Sequence, residues 1–492
     1  MITAFNFDNT YARLPERLYA RLNPTPVAAP TLVQANRALA RQLRIDPEAL
    51  VSEEGVAVLA GNLVPMGATP IALAYAGHQF GHFVPQLGDG RAILLGEVVD
   101  RNEARRDIQL KGSGRTPFSR DGDGRAALGP VLREYIVSEA MAALGVPTTR
   151  SLAAVLTGEP VYRERILPGA ILTRVASSHI RVGTFQYLAA RGDADALRLL
   201  ADYAIQRHYP AAKKASNPYD GLLRAVIAQH AGLVAQWLLI GFIHGVMNTD
   251  NTSIAGETID YGPCAFLDAY DTAAVFSSID HAGRYAYGNQ PRIAHWNLAR
   301  FAETLLPLLA PESEAAVEVA QDALATFACG FEAAYLDGLR GKIGLETRQE
   351  GDTELIQDLL HRMARNSADF TLTFRRLCEA AAGLAGDAHV RAEFTDPAAY
   401  DVWAAAWRQR LAVERRDPAS RRIAMQRINP AHIPRNHLVE AALDAAVDGL
   451  DFGPFEDLLD AVTQPFEEHP RHARYAVPPL PSERVQATFC GT

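Results

Sequence analysis

The sequence predicts an α+β fold in two lobes. A small mixed sheet-and-helix lobe with an N-terminal arm spans 1–178. A large, mostly helical lobe spans 179–463, and an extended tail runs over 464–492. Three observations predict this. Strand-like runs are confined to 84–175, one strongly helical segment sits among them, and helical spacing dominates after about residue 180. In order, residues 1–70 form an arm of helical pieces broken by Pro24, Pro26 and Pro30. Residues 91–99 are an aliphatic run after a glycine turn, and 107–111 alternate polar and apolar as a half-buried strand does. In 126–144, Leu128, Leu132, Ile136, Ala140 and Leu144 recur at four-residue steps, and Gly145-Val146-Pro147 stops the helix. Residues 150–156 and 170–175 are two further short strands. Helices are expected at 194–206, 220–243, 312–338, 353–365, 367–383, 397–415, 437–448 and 455–463. The tail from Gln464 carries five prolines up to Pro481 and is expected to wrap a surface.

Composition narrows the function classes. Of 492 residues, 48 are Lys or Arg and 57 are Asp or Glu, a formal charge of −9, which argues against a general nucleic-acid binder. With 48% hydrophobic and 21% charged residues the chain is an ordinary globular one. Cys264, Cys329, Cys378 and Cys490 are too few and scattered for a disulfide scaffold or zinc ribbon, so a reducing compartment is expected. Residues 1–23 lack an apolar signal core, and their acids argue against a transit peptide. Residues 225–248 carry no formal charge and have the length of a membrane span, but Gln229, His230, Gln236 and His244 interrupt them. A buried core helix and a cytoplasmic protein, with no membrane partner, are expected. Only four of the 48 basic residues are lysines: Lys111, Lys213, Lys214 and Lys342. In so arginine-rich a chain, a lysine either survives by chance or stands where a compact ammonium is needed.

Four elements carry chemistry by their order. Gly88-Asp89-Gly90-Arg91 leads into a strand, and such glycines let backbone amides approach a phosphate. Lys111 ends a strand, with Glu134 twenty-three residues later on the helix. A lysine held by a helix glutamate grips phosphates in protein kinases, although spacing alone equally allows a surface pair or no contact. His244-Gly245-Val246-Met247-Asn248-Thr249-Asp250-Asn251 follows the apolar helix as a kinase catalytic loop does, and Asp260-Tyr261-Gly262 stands where kinases carry their metal-binding Asp-Phe-Gly. An aspartate can take a hydroxyl proton, and Asn251 with Asp260 suits magnesium, which favours few protein oxygens. The expected fold is therefore protein-kinase-like. One position departs from that pattern: five residues before Asn251, where the kinase base belongs, stands Val246. Asp250 lies beside Asn251 instead. Asp121-Gly122-Asp123-Gly124 fails as a calcium loop because Arg125 and Leu132 occupy ligand positions, and Lys111-Gly112-Ser113-Gly114 reverses the Walker order.

Nearly the whole chain resembles the selenoprotein O family and its bacterial relatives, also called YdiU. The resemblance is carried by YAGHQFGHFVPQLGDGRAILLGE (75–97), DIQLKGSGRTPFSRDGDGRAALGPVLREYIVSEAM (107–141), GAILTRVASSHIRVGTFQ (169–186) and GFIHGVMNTDNTSIAGETIDYGPCAFLD (241–268). It implies a pseudokinase-like adenylyltransferase that passes AMP from ATP to protein Ser, Thr or Tyr hydroxyls and releases pyrophosphate. The nucleotide is then flipped relative to kinases. By the same resemblance, Gly88, Gly90 and Arg91 contact ATP, Lys111 holds phosphate, and Asp123 and Gly124 line the nucleotide site. Arg174 and Arg181 reach it from strand and hinge, Asn251 and Asp260 bind Mg²⁺ or Mn²⁺, and Asp250 is the base. Some relatives use UTP with manganese, and a nucleotide-binding scaffold without turnover is the other alternative. Cys490 occupies the position of the eukaryotic selenocysteine, which implies a redox role for the tail. Cys264 is the partner we expect for it.

Overall fold

The computed structural model describes residues 5–489, so Cys490 lies outside the described residues. The chain forms a mixed α+β structure around one antiparallel sheet. Its main strands are β1 (Tyr19–Arg21), β2 (Thr31–Ala35), β3 (Ile71–Leu73), β4 (Ala92–Val99), β5 (Arg105–Lys111), β6 (Arg150–Tyr162) and β7 (Ile166–Ala176), with the two-residue strand Ala126–Ala127 pairing β7 beside them. They lie in the order β1-β3-β4-β5-β7-β6-β2. Alternation in β5 explains its position: Ile108 and Leu110 enter the apolar cluster with Leu39, Leu59, Ile171 and Val175, so Gln109 and Lys111 face the other way. Gln109 lies opposite Arg174 of β7, which puts Lys111, Gln109 and Arg174 on one face.

On that face lies the Leu128–Ala143 helix. The four-residue stripe predicted from the sequence, Leu128, Leu132, Ile136 and Ala140, packs with Val439, Ala442, Phe455 and Leu458. These belong to the Asn436–Gly449 and Gly453–Val462 helices, which return to cover it. The helix is therefore buried on nearly all sides, and Glu134 is held against the sheet.

Residues 225–239 of the charge-free segment lie in the Pro218–Leu239 helix, packed between the Gln290–Leu309 and Ser313–Lys342 helices, and 240–248 leave it. It is the one helix among the described residues with the length and apolarity of a membrane span, and most of that span is buried within the protein, as a core helix requires.

Several elements differ from expectation. The two short strands predicted at 150–156 and 170–175 are one long hairpin, with Pro160 opposite Pro168. Its outer end projects from the sheet, where Tyr162 and Ile166 are exposed, so the prolines interrupt no interior ladder. The arm is more ordered than predicted, because β1 and β2 form the two sheet edges. The second half is less uniformly helical: 240–289 is mostly irregular, with only short strands at Phe242–Ile243 and Ala265–Phe266 and single 3₁₀ turns. Conversely, the Val182–Ala189, Gln290–Leu309 and Pro418–Gln426 helices were not predicted. The tail makes one turn at Pro470–Ala476 and then extends, with Thr488 donating through Oγ1 to the Pro263 carbonyl at 2.8 Å.

Candidate active site

A cleft of about 510 Å³ opens between the sheet and the irregular 240–289 region. Gly88, Gly90, Arg91, Lys111, Asp123, Gly124, Arg174, Arg181, Asp250, Asn251 and Asp260 all line it. Residues more than 170 positions apart are thus brought to one cleft. The cleft presents eight Lys or Arg side chains against five carboxylates, in a chain whose overall balance is acidic.

At its base is a five-membered ionic network. Lys111 Nζ donates to Glu134 Oε2 at 2.6 Å and to Asp260 Oδ1 at 3.3 Å. Arg174 Nε donates to Glu134 Oε1 at 2.7 Å, and its Nη2 to Asp260 Oδ1 at 2.5 Å. Arg181 Nη1 donates to Asp260 Oδ2 and to the Asp250 carbonyl, each at 2.6 Å, with its guanidinium 4.8 Å from the Tyr75 ring centre. Burial works against both carboxylates, but the cations outweigh it: Arg174, Arg181 and Lys111 hold Asp260 well below the usual range, and Arg174 and Lys111 lower Glu134. Three cations face two carboxylates, so the network carries one unit of positive charge into a cleft. Asp260 itself has φ +63°, a left-handed conformation that costs a non-glycine residue energy and recurs at functional sites.

Asp250 is held differently. Burial pushes its carboxyl up to about 6, with Arg181 opposing. Gln79 Nε2 donates to Oδ2 at 3.2 Å, while Oδ1 is buried without a hydrogen-bond partner. A buried carboxyl on a residue that lines the cleft, with a pKa near 6, is suited to accept a proton. The loop is fixed from below. Asn251 Nδ2 donates to the Val246 carbonyl at 3.0 Å, which leaves its Oδ1 unused, and Asn297 Nδ2 donates to the Met247 carbonyl at 2.9 Å. Gln290 Oε1 accepts from the His244 amide at 3.0 Å. A hairpin of Gly77–Gln79 and His82–Val84 caps the loop from above: the His78 amide donates to Thr249 Oγ1 at 2.6 Å and the Phe80 amide to Asn248 Oδ1 at 3.0 Å.

The donor types offered by Asn251 and Asp260, one amide oxygen and one carboxylate, suit a hard divalent cation completed by phosphate or water. Three cations already engage Asp260, however, and no group of three or more metal-ligating His, Cys, Asp or Glu side chains occurs among the described residues.

Two expectations change in detail. The glycines at 88 and 90 do not face open space: a Cβ at Gly88, where φ is +81°, would lie 2.4 Å from Phe118, and one at Gly90 would lie 2.9 Å from the Phe118 carbonyl. Glycine is required there by the 112–125 loop folded over the turn. Asp123 lines the cleft, but Arg163 engages its carboxylate through two bonds of 2.8 and 3.0 Å. Sequence reasoning missed Arg163, along with Arg120, Arg125 and Arg133, which add positive charge to the cleft, and Tyr75, which supports Arg181.

Comparison with known proteins gives the class first. A protein nucleotidyltransferase YdiU of Rhodopseudomonas palustris (strain BisB5) is 65% identical over 492 residues, covering all of both chains. One from Bradyrhizobium diazoefficiens is 64% identical over the same full length. One from Nitrobacter hamburgensis is 64% identical over 486 residues, 99% of this chain and 96% of its own. The family model for protein adenylyltransferase SelO matches residues 1–463, and the chain belongs to that family of protein nucleotidyltransferases.

Proposed function

We propose that the protein transfers AMP from ATP to Ser, Thr or Tyr hydroxyls of proteins, on a kinase-like two-lobed framework. The observation that carries this is the convergence in one cleft of the Lys111–Glu134–Arg174–Arg181–Asp260 network with Asp250 and Asn251. The cationic network offers charge-assisted hydrogen bonds to the oxygens of a polyphosphate. Attack by the acceptor oxygen on the α-phosphorus forms the new P–O bond. The α–β bridging P–O bond breaks, pyrophosphate departs, and the hydroxyl proton passes to Asp250. The valine at 246 cannot take that proton, whereas the carboxylate of Asp250, a residue lining the cleft, can. Asn251 and Asp260 would hold Mg²⁺ or Mn²⁺, which would supply charge neutralisation at the phosphates.

The test is isotopic. ATP labelled at the α-phosphate should label protein, ATP labelled at the γ-phosphate should not, and Asp260→Asn should abolish labelling. Transfer of the γ-phosphate alone would make the chain a kinase. ATP-dependent thermal stabilisation with no labelling under either metal would make it a nucleotide-binding scaffold. Labelling from UTP but not ATP would make it a uridylyltransferase.

A further inference from the structure

We propose that the surface formed by the Gly77–Val84 hairpin and Arg284 docks the acceptor polypeptide, and that Arg284 selects acceptors with an acidic side chain within a few residues of the reacting hydroxyl. The proposal rests on the reading of Asp250 as the group facing that hydroxyl, and it adds the chemistry of the substrate around it.

The hairpin joins the two places. Gln79 touches Asp250, and two residues on, a Cβ at Gly81 would lie 3.7 Å from the Arg284 guanidinium carbon. Two residues of chain span at most about 7 Å, so a peptide with its hydroxyl at Asp250 passes Arg284 within a few residues. Between them the rim is apolar and exposed. Phe80, Ile279 and Phe489 line the cleft edge, with Ile279 56% and Phe489 69% exposed, and Phe83 stands on the hairpin at 40%. Phe80 also holds a left-handed backbone, φ +50°, which positions its ring 5.1 Å from Tyr285. An apolar rim around a polar reacting centre is the composition of a peptide-binding edge.

Arg284 supplies the specificity. Its guanidinium carbon lies 4.8 Å from the Trp296 ring centre and 5.7 Å from that of Tyr285, so the fork is fixed by aromatic faces. Its Nε is buried without a hydrogen-bond partner, Asp280 accepts from its backbone amide at 2.9 Å rather than from its guanidinium, and no carboxylate forms an ion pair with that guanidinium among the described residues. Arg300 approaches the same indole at 5.1 Å but is neutralised by Glu303 at 2.5 Å. A fixed, unneutralised guanidinium on the rim of an acidic protein complements a carboxylate on the incoming chain.

The experiment uses the full-length protein and fluorescent peptides with a central tyrosine flanked by glutamates, or by lysines at the same positions. Anisotropy without nucleotide should give about tenfold tighter binding of the glutamate peptide. Arg284→Gln should erase that preference, and Arg284→Glu should reverse it toward the lysine peptide, a gain that only a folded protein can show. Equal binding of both peptides, or a preference unaffected by Arg284→Glu, overturns the proposal. Equal displacement of the glutamate peptide by millimolar inorganic phosphate also overturns it, in favour of a free-anion site. Labelling from α-labelled ATP is measured on the same peptides. Transfer to both alike leaves the nucleotidyl reading standing and removes the docking one, and charge-dependent binding with no transfer does the opposite.

Discussion

Asp250 meets two opposed demands, because the burial that gives it a pKa near 6 also penalises the folded state. The folded carboxyl binds its proton more tightly than the unfolded one, whose ordinary value is 3.8. Stability attributable to this residue therefore falls as pH rises from about 4 to about 6, and the full penalty applies above that. Two units correspond to roughly 3 kcal/mol. Asp250→Asn should accordingly raise the melting temperature at pH 7 while abolishing transfer, and the gain should vanish near pH 4. Wild-type labelling should rise with pH through about 6 as the carboxylate forms. A melting temperature that is unchanged or lower at pH 7 would count against the buried, underpaired carboxylate described here. At this scale the sequence was most informative where a residue type is rare or its spacing is constrained. Lys111 stood out among 44 arginines, and Asp250, Asn251 and Asp260 by their order. Arg163 and Arg133 could not stand out, because in such a chain no single arginine is distinctive.

The hairpin over the 244–251 loop carries a prediction about an element rather than a charge. Gly77 has no left-handed backbone to protect, yet a Cβ there would lie 2.4 Å from Asp250 Oδ1 and 2.9 Å from its Cβ. Gly77→Ala must therefore separate hairpin from loop, an overpacking cost of about 1–3 kcal/mol. Transfer should fall at least about tenfold, since small displacements of reacting groups are costly. Nucleotide affinity should change little, because Lys111 and Arg174 are held from the sheet. Rates and affinities measured on the variant check both. The elements hidden from the sequence have physical reasons for being so. The Gln290–Leu309 helix carries Pro291 and Pro307, and its buried face includes Gln290, Asn297 and Thr304 at seven-residue intervals. Gln290 and Asn297 are buried because they bond the backbone at His244, Phe242 and Met247. A search for apolar periodicity overlooks a helix whose inner face is polar because it supports an irregular loop. The Leu128–Ala143 helix, whose leucine and isoleucine stripe packs on apolar neighbours, was legible for the converse reason.

Across the whole molecule, the scarcity of lysine acquires a structural meaning. Lys213 and Lys214 are exposed, while Lys111, half-buried in the cleft wall, and Lys342, fully buried, stand in opposite circumstances. Lys111 has two carboxylates. Lys342, at the end of the Ser313–Lys342 helix, has no carboxylate partner among the described residues, and its ammonium lies 4.4 Å from the Phe374 ring centre and 5.5 Å from that of Phe370. A guanidinium could not shed its charge in that setting, whereas burial lowers the ammonium pKa to about 7. Between pH 7 and 10.5 the unfolded chain binds a proton that the folded chain releases, so this residue makes stability rise with pH across that window, with its full penalty below 7. Lys342→Met keeps the apolar stem and removes the charge. It should raise the melting temperature at pH 7 by an amount corresponding to about 4 kcal/mol, and flatten the rise in stability between pH 7 and 10. The Asp250 penalty lies in a separate pH range, so denaturation of the two single variants and the double variant across pH 4–10 separates them. The gains should add, since no interaction links the two sites. A double variant no more stable than either single one would mean that the two sites interact or that the helical core and the 244–251 loop unfold separately, and that neither charge is penalised by its own surroundings alone.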